Sequence, residues 1–263
     1  MTAFQRIQQW RVRRILRKYP IEESVWRATL EALPWLPNLD TIAQARLRDY
    51  ATLFLADKII VGAQGYEVPA GLRVAIAVQA CLLVLFSNLD AYRGFRSIIV
   101  YADEYIVAHT SMDDAGIVHA RRDIRAGEAW REGPVVLAAS AILHDGRGDG
   151  MNIVIHEFAH QLDMQNGDAN GFPPLPKDIA VTQWTQHFTR AYADFCRRVD
   201  GEEHTALDPY GSEAPEEFFA VMCEAFFLIP ATLNAEYPNI FQLLKRFFRF
   251  DPLHTDTTIP AYT

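Results

Sequence analysis

The chain has 263 residues, of which 50% are hydrophobic and 22% charged, with a formal net charge of −8. A chain of this length buries about three quarters of its unfolded surface and needs no disulfide staples, and its acidic balance excludes a general nucleic-acid binder, which would need a basic face. Three cysteines, Cys81, Cys196 and Cys223, form no Cys-x-x-Cys pair and read as reduced, mostly buried thiols of a cytoplasmic protein.

Residues 1–20 carry Arg6, Arg11, Arg13, Arg14, Arg17 and Lys18 and no acidic residue, interleaved with Phe4, Ile7, Trp10, Ile15 and Leu16. This is the pattern of a basic amphipathic helix. It is either a solvated arm or a contact for an anionic membrane surface or an acidic partner. No continuous apolar run follows it, so it is not a secretory signal. Helices are expected over 22–33, ended by Pro34 and Pro37, and over 40–57. The run Val74 to Phe86 is the most hydrophobic in the chain, yet too short to span a bilayer, and reads as a core helix. Strands are expected over 97–101, 104–108, 116–123 and 135–143, forming a small mixed or antiparallel sheet. The loop from His144 to Gly150 is a turn cluster, with Asp149 or Asn152 as the cap of the next helix, which Asn166-Gly167 closes. Further helices are expected over 179–199 and 215–228, and a poorly ordered tail over 251–263. The organisation is α+β: a basic arm (1–20), a catalytic unit with N-terminal helices (21–250) and the tail.

The stretch that organises the chain is Ile153-Val154-Ile155-His156-Glu157-Phe158-Ala159-His160-Gln161-Leu162. Residues four apart share a helix face, so His156 and His160 can offer imidazole nitrogens to one metal ion. Glu157 beside them supplies a carboxylate for the proton of a metal-bound water, which is the His-Glu-x-x-His signature of zinc hydrolases. Uncharged residues flank the motif, so the helix is buried, and two histidines with a glutamate are costly in a core that holds no metal.

A catalytic zinc takes three protein ligands and keeps one open position. The metzincin solution, a histidine six residues past the motif, is excluded because Asn166 stands there. Asp163 reads as a carboxylate behind the ligands or as the cap of the following turn. Glu217 and Glu224, seven apart on the apolar helix after Pro215, share one face and call for a cation, unless both are satisfied by local caps and ion pairs.

With these residues in view the sequence resembles the Mlc titration factor A family of bacterial metallopeptidases. The resemblance lies in His156-Glu157-Phe158-Ala159-His160-Gln161-Leu162-Asp163 with Asn166-Gly167-Asp168, in Tyr210-Gly211 and Pro215-Glu216-Glu217-Phe218-Phe219-Ala220, and in Gly116-Ile117-Val118-His119. It covers roughly residues 55–255 and leaves the basic arm outside. That family is in turn similar to the catalytic domain of anthrax lethal factor, sharing a His-Glu-Phe-x-His motif and a tyrosine seven residues before a glutamate ligand. The resemblance implies a zincin-like fold with one zinc on His156, His160 and Glu217. It also implies an oxyanion-stabilising hydroxyl on Tyr210 and a His119 that approaches the zinc in the resting enzyme. It implies a cytoplasmic zinc aminopeptidase that binds the glucose-responsive repressor Mlc.

The chemistry is that of a peptidase in which zinc acidifies water, Glu157 takes its proton, and Tyr210 shares the oxyanion charge. An extended substrate would lie along a sheet edge, with Asp113, Asp114 and Glu128 as candidate anchors for a free amine. The rival reading is a non-catalytic or self-inhibited zinc protein that sequesters a transcription factor. An intact Glu157 argues against it, because structural zinc needs no base. A metal-dependent nuclease is weaker still, since no basic groove is evident.

Overall fold

The computed structural model describes residues 3–103, 105–112, 118–125, 127–129, 133–144, 148 and 150–254, with backbone alone for 3–8, 105–112, 118–125, 127–129, 143 and 144. The basic arm forms α1 (Ala3–Lys18), packed against α3 (Thr41–Asp57), with α2 (Glu23–Ala32) between them in sequence. Asp40 starts α3 by accepting a 2.7 Å hydrogen bond from the Ala43 N–H, which satisfies one of the four amides a helix leaves open at its start. The apolar run becomes α4 (Ala70–Leu83), buried on nearly every side, as a helix apolar all round must be.

Four strands form one sheet in the order β1 (Ile59–Gly62), β2 (Ser97–Tyr101), β6 (Val135–Ala138), β5 (Gly127–Ala129). The first three are parallel, and β5 runs antiparallel to β6 at the edge, so the sheet is mixed. A separate antiparallel pair, β3 (Tyr105–Met112) and β4 (Val118–Arg125), is in register from Tyr105 opposite Arg125 to Met112 opposite Val118. The strand expected over 135–143 is half helix. The chain leaves β6 at Ala138 and enters α5 (Ala139–His144), where alanine and serine replace the β-branched residues that favour a strand. β1 was not anticipated. Its four residues directly follow a helix and are too few to show a period of two.

The remaining helices are α6 (Ile153–Asp163), α7 (Val181–Asp200), α8 (Pro215–Leu228), α9 (Pro230–Glu236) and α10 (Pro238–Phe248). α6 carries the motif and α8 packs against it. Two aromatic groups hold these helices. Phe158 of α6 stands edge-on to Tyr92 at 5.1 Å between ring centroids and lies 5.7 Å from both Phe54 and Phe95. On α8, Phe218 lies 5.6 Å from Phe195 of α7, and Phe226 lies 5.6 Å from Phe241 of α10. Replacing any one of these rings by alanine costs about 3–5 kcal/mol, so both helices are held rigidly. Asn166-Gly167 ends a 3-10 extension of α6, but Gly167 (φ 155°, ψ −147°) is not in the compact left-handed region expected there. Cys81 and Cys223 are buried, and all three thiols are unpaired. The tail from 255 onward, expected to be poorly ordered, lies outside the described residues.

Candidate metal centre

α6 begins at Asn152, whose Oδ1 accepts the Ile155 N–H at 2.9 Å. From this start His156 and His160 fall one turn apart on a buried face, their rings 4.8 Å apart and nearly perpendicular. Pro215 opens α8, and its fixed φ suits the first helical turn, which carries Glu217.

Three ligand atoms converge between these helices. His156 Nε2 lies 2.9 Å from Glu217 Oε2 and 3.2 Å from His160 Nε2, and His160 Nε2 lies 3.3 Å from the same carboxylate oxygen. A tetrahedral ion with bonds of about 2.0 Å separates its ligands by about 3.3 Å, so these three edges fit one face of a zinc tetrahedron. Two imidazoles and a carboxylate are also the donor set of a catalytic zinc with one position left open. The residues fit a divalent ion.

The other nitrogen of His156 settles which tautomer faces the site. Nδ1 lies 2.7 Å from Glu224 Oε1, and a carboxylate only accepts, so Nδ1 carries a proton and Nε2 is the nitrogen left to give its lone pair to an ion in exchange for its own proton. Glu224 is 4% exposed, and its second oxygen accepts the Asn152 backbone N–H. The Asn152 side-chain amide donates to Gln79 Oε1 at 2.7 Å, and the Gln79 amide donates to the Ala75 carbonyl at 3.1 Å. A buried polar chain therefore runs from α4 through the cap of α6 to the imidazole. Substituting Glu224→Gln removes the charge that fixes this tautomer. Zinc affinity is expected to fall about 10- to 100-fold in competition with a chelator, and an unchanged affinity would contradict the arrangement.

The electrostatics favour a cation. Burial alone would lower the His156 pKa, but the carboxylates of Glu224, Glu217 and Glu157 more than reverse this and lift it well above its ordinary value. Burial would raise Glu217, but its hydrogen bonds with His156 and His160 hold it well below the usual carboxylate range. The same negative field that draws a proton to His156 draws a metal ion.

Of the residues named from sequence, His156, His160 and Glu217 come together, with Glu157 buried between the two histidines in the chain. Tyr210 sits in a 3-10 turn (Pro209–Ser212), its ring 5.9 Å from that of His156 and 43% exposed. Asp163 is fully buried and caps the next loop, accepting the Asn170 and Gly171 amides at 2.7 and 2.6 Å. Glu224, read as one of two carboxylates facing a cation, instead stands behind His156. His119 occupies β4 opposite Ser111, but its side chain is not described, nor is that of Glu128 in β5. Asp113 and Asp114 lie outside the described residues. Sequence reasoning missed Gln79, although an amide in the middle of an otherwise apolar helix was the available signal.

The chain matches the glucose-regulated metallo-peptidase M90 family over residues 7–249. It belongs to that family. Mlc titration factor A of Salmonella agona (strain SL483) is 35% identical over 235 residues, covering 88% of each chain. The protein of the same name from Salmonella gallinarum (strain 287/91 / NCTC 13346) matches equally. As an M90 member the chain is a metallopeptidase. The match starts within α1, so the likeness is not confined to residues 55–255, and the basic helix is part of it. Among the described residues no helix is long and apolar enough to cross a membrane.

Proposed function

We propose that the chain is a zinc-dependent aminopeptidase of zincin-like fold, acting in the cytoplasm, with residues 21–250 as its catalytic unit. The observation that carries this reading is the triangle of His156 Nε2, His160 Nε2 and Glu217 Oε2, at the spacing of tetrahedral ligands, with Glu157 adjoining His156 in the chain. When bound, zinc supplies a Lewis acid that brings the pKa of water toward neutrality. Glu157 takes the proton of the attacking water and returns it to the departing amine. Tyr210, half exposed beside His156, donates its hydroxyl to the carbonyl oxygen as charge builds there.

An extended peptide pairs with β5. This strand is an edge of the four-stranded sheet and packs against α6. At the opposite edge, the outward Ile60 carbonyl of β1 already accepts from the Arg73 guanidinium. His119 is a fourth, movable ligand that fills the open position in the resting enzyme. The name of the Salmonella relatives, Mlc titration factor A, supports a second role, binding of a transcriptional repressor of the Mlc kind.

Hydrolysis of matched peptides with free and acetylated amino termini tests the proposal. The free peptides are expected to be cleaved one residue at a time from the amino end, and acetylation to abolish turnover. Equal cleavage of both would make the enzyme an endopeptidase.

A further inference from the structure

The two helices that carry the ligand atoms are also joined through the loop that follows α6. Asp163, the last residue of α6, accepts the backbone N–H groups of Asn170 and Gly171 at 2.7 and 2.6 Å, so the loop is tied to the end of the motif helix. Gly171 has φ +75°, and a Cβ placed on it would lie 2.5 Å from the Pro215 carbonyl oxygen and 3.5 Å from the Glu216 nitrogen. Backbone thus rests on backbone at the first turn of α8, two residues before Glu217. The Gly171 carbonyl accepts from the Trp184 indole N–H at 3.4 Å, and that buried ring packs 6.1 Å from Phe219 of α8. The loop is therefore gripped by α6, α7 and α8 together.

We infer that Asp163 and Gly171 are positioning residues: the Asp163–Gly171–Pro215 strut sets the distance between the motif helix and the first turn of α8, and so places Glu217 against His156 and His160. No side-chain contact with a metal is required of either residue. Glycine is needed at 171 because any side chain there meets the Pro215 carbonyl, and the backbone angle is one that other residues adopt only under strain. An acceptor is needed at 163 because a single oxygen, Asp163 Oδ2, satisfies both loop amides in a fully buried place.

The inference rests on His156, His160 and Glu217 holding a metal. Its test is the zinc affinity of the full chain, measured by competition with a chromophoric chelator, for Gly171→Ala, Glu217→Ala and the double variant. Gly171→Ala is expected to keep its helical circular-dichroism spectrum and a cooperative unfolding transition, yet to bind zinc at least about 10-fold more weakly. In the Glu217→Ala background the same change is expected to alter affinity by no more than about two-fold, because the ligand it displaces is already gone. If Gly171→Ala does not fold, Asp163→Ala, which removes the acceptor of both loop amides, replaces it in the same cycle. Unaltered zinc binding by the single variant, or a loss that persists undiminished without Glu217, would overturn the strut. Absence of zinc binding by the unmodified chain would instead overturn the metal site.

Discussion

Glu157→Gln is expected to slow peptide hydrolysis at least about 100-fold, the low end of what a general base contributes. The substitution keeps size and helix preference and removes only the ability to accept a proton. Glu157 is buried in the second turn of α6, adjoining His156 but outside the cluster of three ligand atoms. Zinc content, helical structure and any affinity for a repressor should therefore remain. Kinetics on a free-amine peptide, with metal analysis of the same sample, check this. Hydrolysis undiminished in the variant would remove Glu157 from the chemistry and leave repressor binding as the better account of the protein.

Glu217→Gln is expected to have the largest effect on the metal. An amide oxygen is a neutral and poorer donor than a carboxylate, and Glu217 touches both histidines at once. Its substitution should weaken zinc binding beyond the roughly 10- to 100-fold that changes behind the ligands cost, and Asp163→Asn should stay within that range. Retention of zinc against a chelator compares the two variants directly. The reverse order would move the third ligand onto Asp163.

The motif helix was legible because its signals agree. An asparagine cap, an unbroken apolar background and two histidines at helical spacing all point to one buried face. α8 was legible for similar reasons, from Pro215 at its start to its long apolar run. The division of labour between Glu217 and Glu224 was legible only through the family resemblance, which put the ligand on Glu217, because seven-residue spacing puts both on one face and only the packing of α8 on α6 decides which end reaches the histidines. The polar chain from Gln79 through Asn152 to Glu224 was hidden because its members lie far apart in sequence. Strand β6 was read too long because Ala139, Ser140 and Ala141 are small enough to continue an apolar run while favouring helix. Gly171 gave no signal at all, since its role comes from the Pro215 carbonyl, which the fold brings to it.

Anomalous diffraction at the zinc edge from crystals of the zinc-loaded chain addresses the central claim most directly. The account predicts one zinc per chain, about 2.0–2.2 Å from His156 Nε2, His160 Nε2 and an oxygen of Glu217, with Glu224 on the Nδ1 side of His156 and outside the coordination sphere. A zinc bound without Glu217, or one held through His156 Nδ1, would contradict it.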